Sequence, residues 1–168
     1  VGNPNEIADL DMGPLIEASA LKSMEKKVER AIQQGARLLC GGHRIGTKGY
    51  FFEPTVLDCV TQKMDIIQEE SFCPVLPVVE YSDINDAIAW ANDCEYGLTS
   101  SVYTQNLDNA FKVMRSLKFG ETYINRENFE AMQGFHSGWR KSGIGGADGK
   151  HGLEEYLQTQ VVYLETKE

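Results

Sequence analysis

The side chains that could perform chemistry are few and scattered. His43, His136 and His151 have no metal-ligand spacing with one another or with the four cysteines, so no metal site is predicted. No G-x-S-x-G sequence occurs, which argues against the nucleophile elbow of α/β hydrolases. A thiol site using Cys73 beside Glu70, with His136 elsewhere in the chain, stays as an alternative to the usual role of free cysteine as a small buried hydrophobe.

A glycine-rich run at residues 143–149 invites comparison with nucleotide-binding loops. The third glycine of a G-x-G-x-x-G motif would fall on Asp148, and the run does not directly follow a predicted strand. Lys141 and Ser142 lack the preceding glycine of a Walker loop. We therefore expect these glycines to form tight turns rather than to bind phosphate.

The most informative stretch is residues 120–156, which reads as a strand, a long loop and a short helix. Between residues 126 and 149 the loop combines six glycines with apolar and aromatic side chains, namely Phe129, Met132, Phe135 and Trp139. Disordered segments are poor in aromatics, so the loop is expected to be ordered. A functional loop and a loop packed on its own side chains both remain open.

The elements that must position this loop follow from hydrophobic periodicity. A helix is predicted at 17–34 with Leu21, Met24, Val28 and Ile32 inward, and an extended segment at 51–57 is pushed toward a sheet edge by Pro54. Further strands are predicted at 37–40, 75–79, 98–103 and 120–125, with helices at 83–93 and 107–117 and a helical turn at 64–68. In the helix at 107–117 the inward face is predicted to hold Leu107, Ala110, Phe111, Met114 and Leu117. Alternating strands and helices with short connections predict an α/β fold built on a parallel βαβ layer.

The amino-acid composition argues against some classes of binding partner. The net charge of −9 disfavours nucleic acid and anionic membranes as partners, because both require a basic surface. No apolar run reaches the length of about 20 residues that a membrane span needs. The cysteines lack CxxC spacing and fit reduced thiols, so a cytoplasmic protein is expected. The chain begins at Val1 without a start methionine, which suggests a segment of something longer.

Four motifs in order resemble the C-terminal third of NAD(P)-dependent aldehyde dehydrogenases. They are MGPLI at 12–16, EESFCPV at 69–75, N-x-x-x-YGLTSSVYT at 92–104, and IN at 124–125 with GWRKSGIG at 138–145. The resemblance covers essentially the whole chain. The run at 120–152 is particularly similar to bacterial members that oxidise lactaldehyde or glycolaldehyde.

The resemblance implies a reaction in which a cysteine adds to the aldehyde, a hydride passes to the cofactor, and a glutamate base assists thioester hydrolysis. In the family these groups and the nucleotide-binding domain precede the region matched here, so no catalytic residue is assigned and the isolated segment is expected to be inactive. The cofactor implied is NAD, with NADP as the alternative and no metal. Residues 1–156 would be part of the catalytic domain, and residues 157–168 an oligomerisation strand and tail that joins subunits of a homo-oligomer.

The resemblance also assigns binding residues. Glu70 matches the glutamate that hydrogen-bonds the nicotinamide ribose, and Phe72 matches the aromatic near the nicotinamide ring. Cys73 replaces the family's usual glycine, which would distort the loop if that position required a positive φ. Glu130 and His136 fall where the family lines its substrate tunnel. Their polarity suits a short hydroxylated aldehyde, because buried donors and acceptors favour substrates that can pair with them.

A second function remains compatible with the same residues. A shortened paralogue could keep this segment as a non-catalytic assembly module, using the β-prone run at 157–164 to pair with another subunit.

Overall fold

The computed structural model describes residues 1–166, and the chain divides into a first unit, Val1–Ser82, and a second unit, Asp83–Glu168. The two units are α/β in composition, as predicted. Lys167 and Glu168, which end the predicted C-terminal segment, lie outside the described residues.

The first unit packs one long helix against a mixed three-stranded sheet. Helix α1 spans Ala18–Gln33 and is followed by Gly35 at φ +106°, the left-handed conformation that commonly ends helices. The strands are β1 (Arg37–Cys40), β2 (Thr55–Asp58) and β3 (Val75–Pro77), with the short helix α2 (Asp65–Gln68) between the last two. β2 lies in the centre, antiparallel to β1 and parallel to β3.

Two expectations for this unit are wrong in detail. The prediction that Pro54 places its segment at an edge fails, because Pro54 precedes β2 and therefore removes no hydrogen bond from that central strand. The inward face of α1 uses Ala31 rather than Ile32, which is 41% exposed. Leu21, Met24 and Val28 are buried as expected.

The second unit begins with a helix, which is followed by a βαβ arrangement. Helix α3 (Ile84–Asn92) precedes strand β4 (Thr99–Val102), helix α4 (Leu107–Ser116) and strand β5 (Glu121–Ile124). β4 and β5 pair in parallel, which requires a crossover such as α4. Both helices start where the sequence predicts, since Asp83 and Asn106 accept hydrogen bonds from backbone N–H groups of the first turn.

The face of α4 differs from the prediction. Val113 is its buried residue, whereas Leu107, Phe111 and Met114 are each about half exposed or more. Periodicity identified an apolar stripe correctly, but the packing within this chain uses a neighbouring position.

The long loop is more regular than its composition suggests. It contains an antiparallel pair, β6 (His136–Ser137) and β7 (Gly146–Ala147), with a 3₁₀ turn at Arg140–Ser142 between them. Helix α5 (Gly149–Glu155) follows. Residues 157–166 form neither helix nor strand within this chain, so the pairing of that segment with another subunit stays a prediction. None of the helices in residues 1–166 is long and apolar enough to cross a membrane.

Candidate functional site

In the first unit, the candidate cofactor-binding residues lie on the loop between α2 and β3. Lys27 of α1 is largely buried and reaches this loop, with its Nζ 3.1 Å from Glu69 Oε2 and 3.1 Å from the backbone oxygen of Glu70. The lysine thus holds the main chain and the preceding carboxylate. The side chain of Glu70 remains exposed and available to a ligand.

Phe72 is held in an unusual way for an aromatic residue. Its φ is +47°, a region that residues other than glycine rarely adopt, and 82% of its surface is exposed. Strained backbone of this kind persists only where the surrounding structure enforces it, and it is concentrated at functional sites.

The ring of Phe72 borders a depression of about 310 Å³ that brings two of the sequence motifs together. One side is formed by Met12–Leu15 and the other by Phe72–Pro74, with the buried Phe52 between them. The depression therefore exposes polar as well as apolar atoms, with the exposed Phe72 at its border and the carboxylate of Glu70 two residues earlier in the chain.

Cys73 does not carry the positive φ that its replacement of glycine made a concern, because the left-handed conformation falls on Phe72. Its Sγ is half buried and lies 3.1 Å from the Sδ of Met24. Burial raises the pKa of Cys73, although a backbone hydrogen bond from Val75 and the charge of Lys27 oppose the shift. A raised pKa disfavours the thiolate, which weakens the alternative of a thiol nucleophile here.

In the second unit, His136 is fixed by a carboxylate that no sequence motif indicates. Nδ1 of His136 lies 2.7 Å from Oε2 of Glu121, the first residue of β5. This hydrogen bond raises the pKa of His136, burial opposes the rise, and the charges of Glu121, Glu130 and Asp148 add to it. Glu130 itself is exposed in the loop that precedes His136.

Close backbone packing places His136 over β5. His136 and Ser137 form strand β6, paired with Ala147 and Gly146 of β7. The backbone oxygen of Ser137 lies so near Gly120 that a Cβ there would be 1.6 Å from it. Only glycine allows this approach, so the hairpin formed by β6 and β7 packs directly against the start of β5.

Tyr123 lies two residues after Glu121, on the same face of β5. It is 8% exposed, and its hydroxyl has no hydrogen-bond partner among residues 1–166. Burial raises the pKa of Tyr123, and the nearby Glu121 adds to the rise although the two side chains make no hydrogen bond in this geometry. The guanidinium of Arg126 lies 5.5 Å from the Tyr123 ring. Strand alternation was the one signal in the sequence that could have grouped Glu121 with Tyr123.

The remaining motif residues of this unit are structural. Arg140 donates to the backbone oxygens of Asn92, Cys94 and Lys118, and its guanidinium lies 5.5 Å from the ring of Phe119. The backbone N–H of Gly97 donates to Ser142 Oγ over 2.8 Å, which ties the GWRKSG run to the N-x-x-x-YG run.

Among residues 1–166, no group of three or more His, Cys, Asp or Glu side chains could hold a metal ion. The two candidate sites consist of a carboxylate with an aromatic ring, and of a carboxylate–imidazole pair.

Comparison with known proteins assigns these features to a family. The model of the aldehyde dehydrogenase family matches residues 1–162. Lactaldehyde dehydrogenase of Escherichia coli K12 is 65% identical over 98% of this chain and 34% of that enzyme.

Solved structures of aldehyde dehydrogenases support the same family assignment. A crystal structure of E. coli lactaldehyde dehydrogenase superimposes with a TM-score of 0.94 at 64% identity, over 98% of this chain and 35% of that one. The NAD⁺ complex of an aldehyde dehydrogenase from Bacillus cereus gives 0.88 at 34% identity, over 96% and 33%. The chain spans about a third of the length of these relatives. With its sequence and fold matched along nearly the whole length, the chain belongs to the aldehyde dehydrogenase family.

Proposed function

We propose that this chain is the C-terminal part of the catalytic domain of an NAD(P)-dependent aldehyde dehydrogenase. The complete subunit oxidises a small hydroxylated aldehyde, of the lactaldehyde or glycolaldehyde type, to its carboxylic acid. The isolated segment is inactive, because the cysteine nucleophile, the glutamate base and the nucleotide domain of the family belong to another part of the subunit. The free cysteines suit the reducing cytoplasm as its location.

Glu70 and Phe72 contribute to cofactor binding in this proposal. The exposed carboxylate of Glu70 accepts hydrogen bonds from the two ribose hydroxyls, and the exposed ring of Phe72 offers an apolar face to the nicotinamide. When bound, NAD(P) would supply the hydride acceptor. Lys27 fixes the backbone of the loop that carries both side chains. It bonds neither the Glu70 carboxylate nor the Phe72 ring, so both stay free for the cofactor.

Glu130 and His136 determine the substrate class. The observation that carries the proposal is that His136 is held by Glu121 with the charge of Glu130 acting on it, which makes a polar, hydrogen-bonding environment. Once the rest of the subunit covers them, such groups favour a substrate with a hydroxyl group, since an apolar aldehyde would leave them unpaired.

The test is the Glu130→Phe substitution in a full-length subunit that contains this segment. We expect the ratio of kcat/KM for lactaldehyde to that for propanal to fall by about tenfold or more, because one hydrogen-bonding partner of the substrate hydroxyl is lost. Glu127→Phe is the matched control, since Glu127 is another exposed carboxylate of the same loop. An unchanged ratio for Glu130→Phe would show that this residue does not select the substrate.

A second candidate is favoured by the exposed C-terminal segment. Tyr163 and Leu164 are 94% and 85% exposed, which is costly unless another surface covers them. In this alternative the chain is a truncated paralogue that acts only in assembly, and in the first proposal the same segment joins the subunits of a homo-oligomer.

A further inference from the structure

Glu121 holds His136 but is not itself one of the proposed substrate-binding residues. Its side chain is 14% exposed, and one of its oxygens is occupied by Nδ1 of His136. An ionised carboxylate can only accept a hydrogen bond, so Nδ1 must carry the proton. The other ring nitrogen, Nε2, is then an acceptor when the ring is neutral and a donor when the ring is charged.

The surroundings strengthen this arrangement. The Glu121 carboxylate is 14% exposed and lies on the same strand face as the buried Tyr123, and hydrogen bonds are electrostatically stronger where water is partly excluded. The charged groups that act on the imidazole are Glu121 of β5, Glu130 of the preceding loop and Asp148 after β7. All three are acidic and therefore favour the protonated ring.

We infer that Glu121 is a positioning residue that keeps His136 in its Nδ1–H form and so presents Nε2 to the hydroxyl group of a 2-hydroxyaldehyde. The inference rests on the proposed function, because it gives that substrate class a specific partner atom. Glu121 does not touch the substrate. It acts by preventing the imidazole from exchanging the roles of its two nitrogens.

The first measurement is the ¹⁵N NMR titration of the histidines in the 168-residue chain. His136→Gln and His151→Gln variants assign the signals. We expect the neutral ring of His136 to be in the Nδ1–H form. In Glu121→Gln the amide can either accept or donate, so the two neutral forms should mix and the ring should titrate at lower pH, because one negative charge is gone.

The second measurement is kinetic and uses the full-length subunit. Glu121→Gln should lower kcat/KM for lactaldehyde by about tenfold while leaving that for propanal nearly unchanged, and Glu121→Asp, which keeps the carboxylate, should restore part of the preference. Glu127→Gln is the control. If Glu121 had a merely structural role, Glu121→Gln would lower kcat/KM for both aldehydes by the same factor.

The outcomes separate the two proposals. A neutral His136 in the Nε2–H form, an unaltered titration in Glu121→Gln, or an unchanged preference between the two aldehydes each overturns the inference. If the unsubstituted full-length subunit oxidises propanal as well as lactaldehyde, the proposed substrate class is wrong even where Glu121 controls the tautomer.

Discussion

Lys27 shows how a single residue can hold a loop while leaving free the two side chains proposed to bind the cofactor. Its ammonium group bonds the Glu70 backbone oxygen and the Glu69 carboxylate, and its side chain is 15% exposed. The Glu70 carboxylate and the Phe72 ring are left free. The neighbouring acids Glu69 and Glu70, which look equivalent in the sequence, therefore have different roles.

This difference predicts the result of two matched substitutions in the full-length subunit. Glu70→Gln should raise the KM for NAD(P) by about tenfold, because the amide loses the charge and one acceptor oxygen. Glu69→Gln should change it by less than about threefold, since it only weakens an ion pair whose carboxylate is 60% exposed. Steady-state kinetics at saturating aldehyde give both values, and equal effects would remove the distinction.

The residues of the second unit also show the limit of sequence reasoning. The family resemblance points to His136 and Glu130 but not to Glu121 or Tyr123. Alternation along β5 puts the latter two on one face, yet only the fold reveals that His136, fifteen residues after Glu121, returns to that face. Pairing at this sequence distance depends on the hairpin β6–β7 and not on local pattern.

At the scale of elements, Arg140 connects the long loop to the segments before β4 and β5. Three backbone oxygens share its guanidinium, and its own φ of +56° is strained for an arginine. Arginine suits this role because its planar fork supplies several donors at fixed angles. Lysine has the same charge but cannot reproduce that geometry.

We therefore expect Arg140→Lys to lower the free energy of unfolding by about 1–2 kcal/mol, a value reduced for the exposure of the side chain. Arg115→Lys is the control, because Arg115 is an exposed arginine near the Phe111 ring on α4. Urea titration followed by the fluorescence of Trp90 and Trp139 would measure both. Equal losses in the two variants would argue against the role of Arg140.

Most elements could be predicted from the sequence, because caps and periodicity are local signals. Helices α1 and α4 begin and end within a residue of their predicted bounds. The errors concern packing partners. Pro54 precedes a central strand instead of marking an edge, and the buried residue of α4 is Val113. Both depend on contacts that no short window of sequence contains.

At the scale of the whole molecule, exposed apolar side chains dominate the surface chemistry of the C-terminal segment. The residues are Leu157, Val161, Val162, Tyr163 and Leu164, each more than 60% exposed. Residues 157–166 form neither helix nor strand within this chain, and a β-prone segment with free backbone groups is a template for pairing with another chain. A net charge of −9 opposes association but does not cover apolar surface.

The segment should therefore drive self-association of the chain. Replacing Val162 and Leu164 by lysine should shift sedimentation velocity profiles toward the 18.8 kDa monomer, because apolar contact area is lost. Replacing Gln158 and Gln160 by lysine adds the same charge without removing apolar area and serves as the control. If the two double substitutions shift the sedimentation profile equally, association is governed by charge and not by apolar contact.

The contact between Gly120 and the Ser137 oxygen also sets a rule for engineering the region. With no room for a Cβ at Gly120, the loop at 126–149 cannot be transplanted onto a strand that is preceded by any other residue. A chimera that exchanges substrate preference between relatives must therefore take its crossover point before Gly120, so that strand and loop are inherited together.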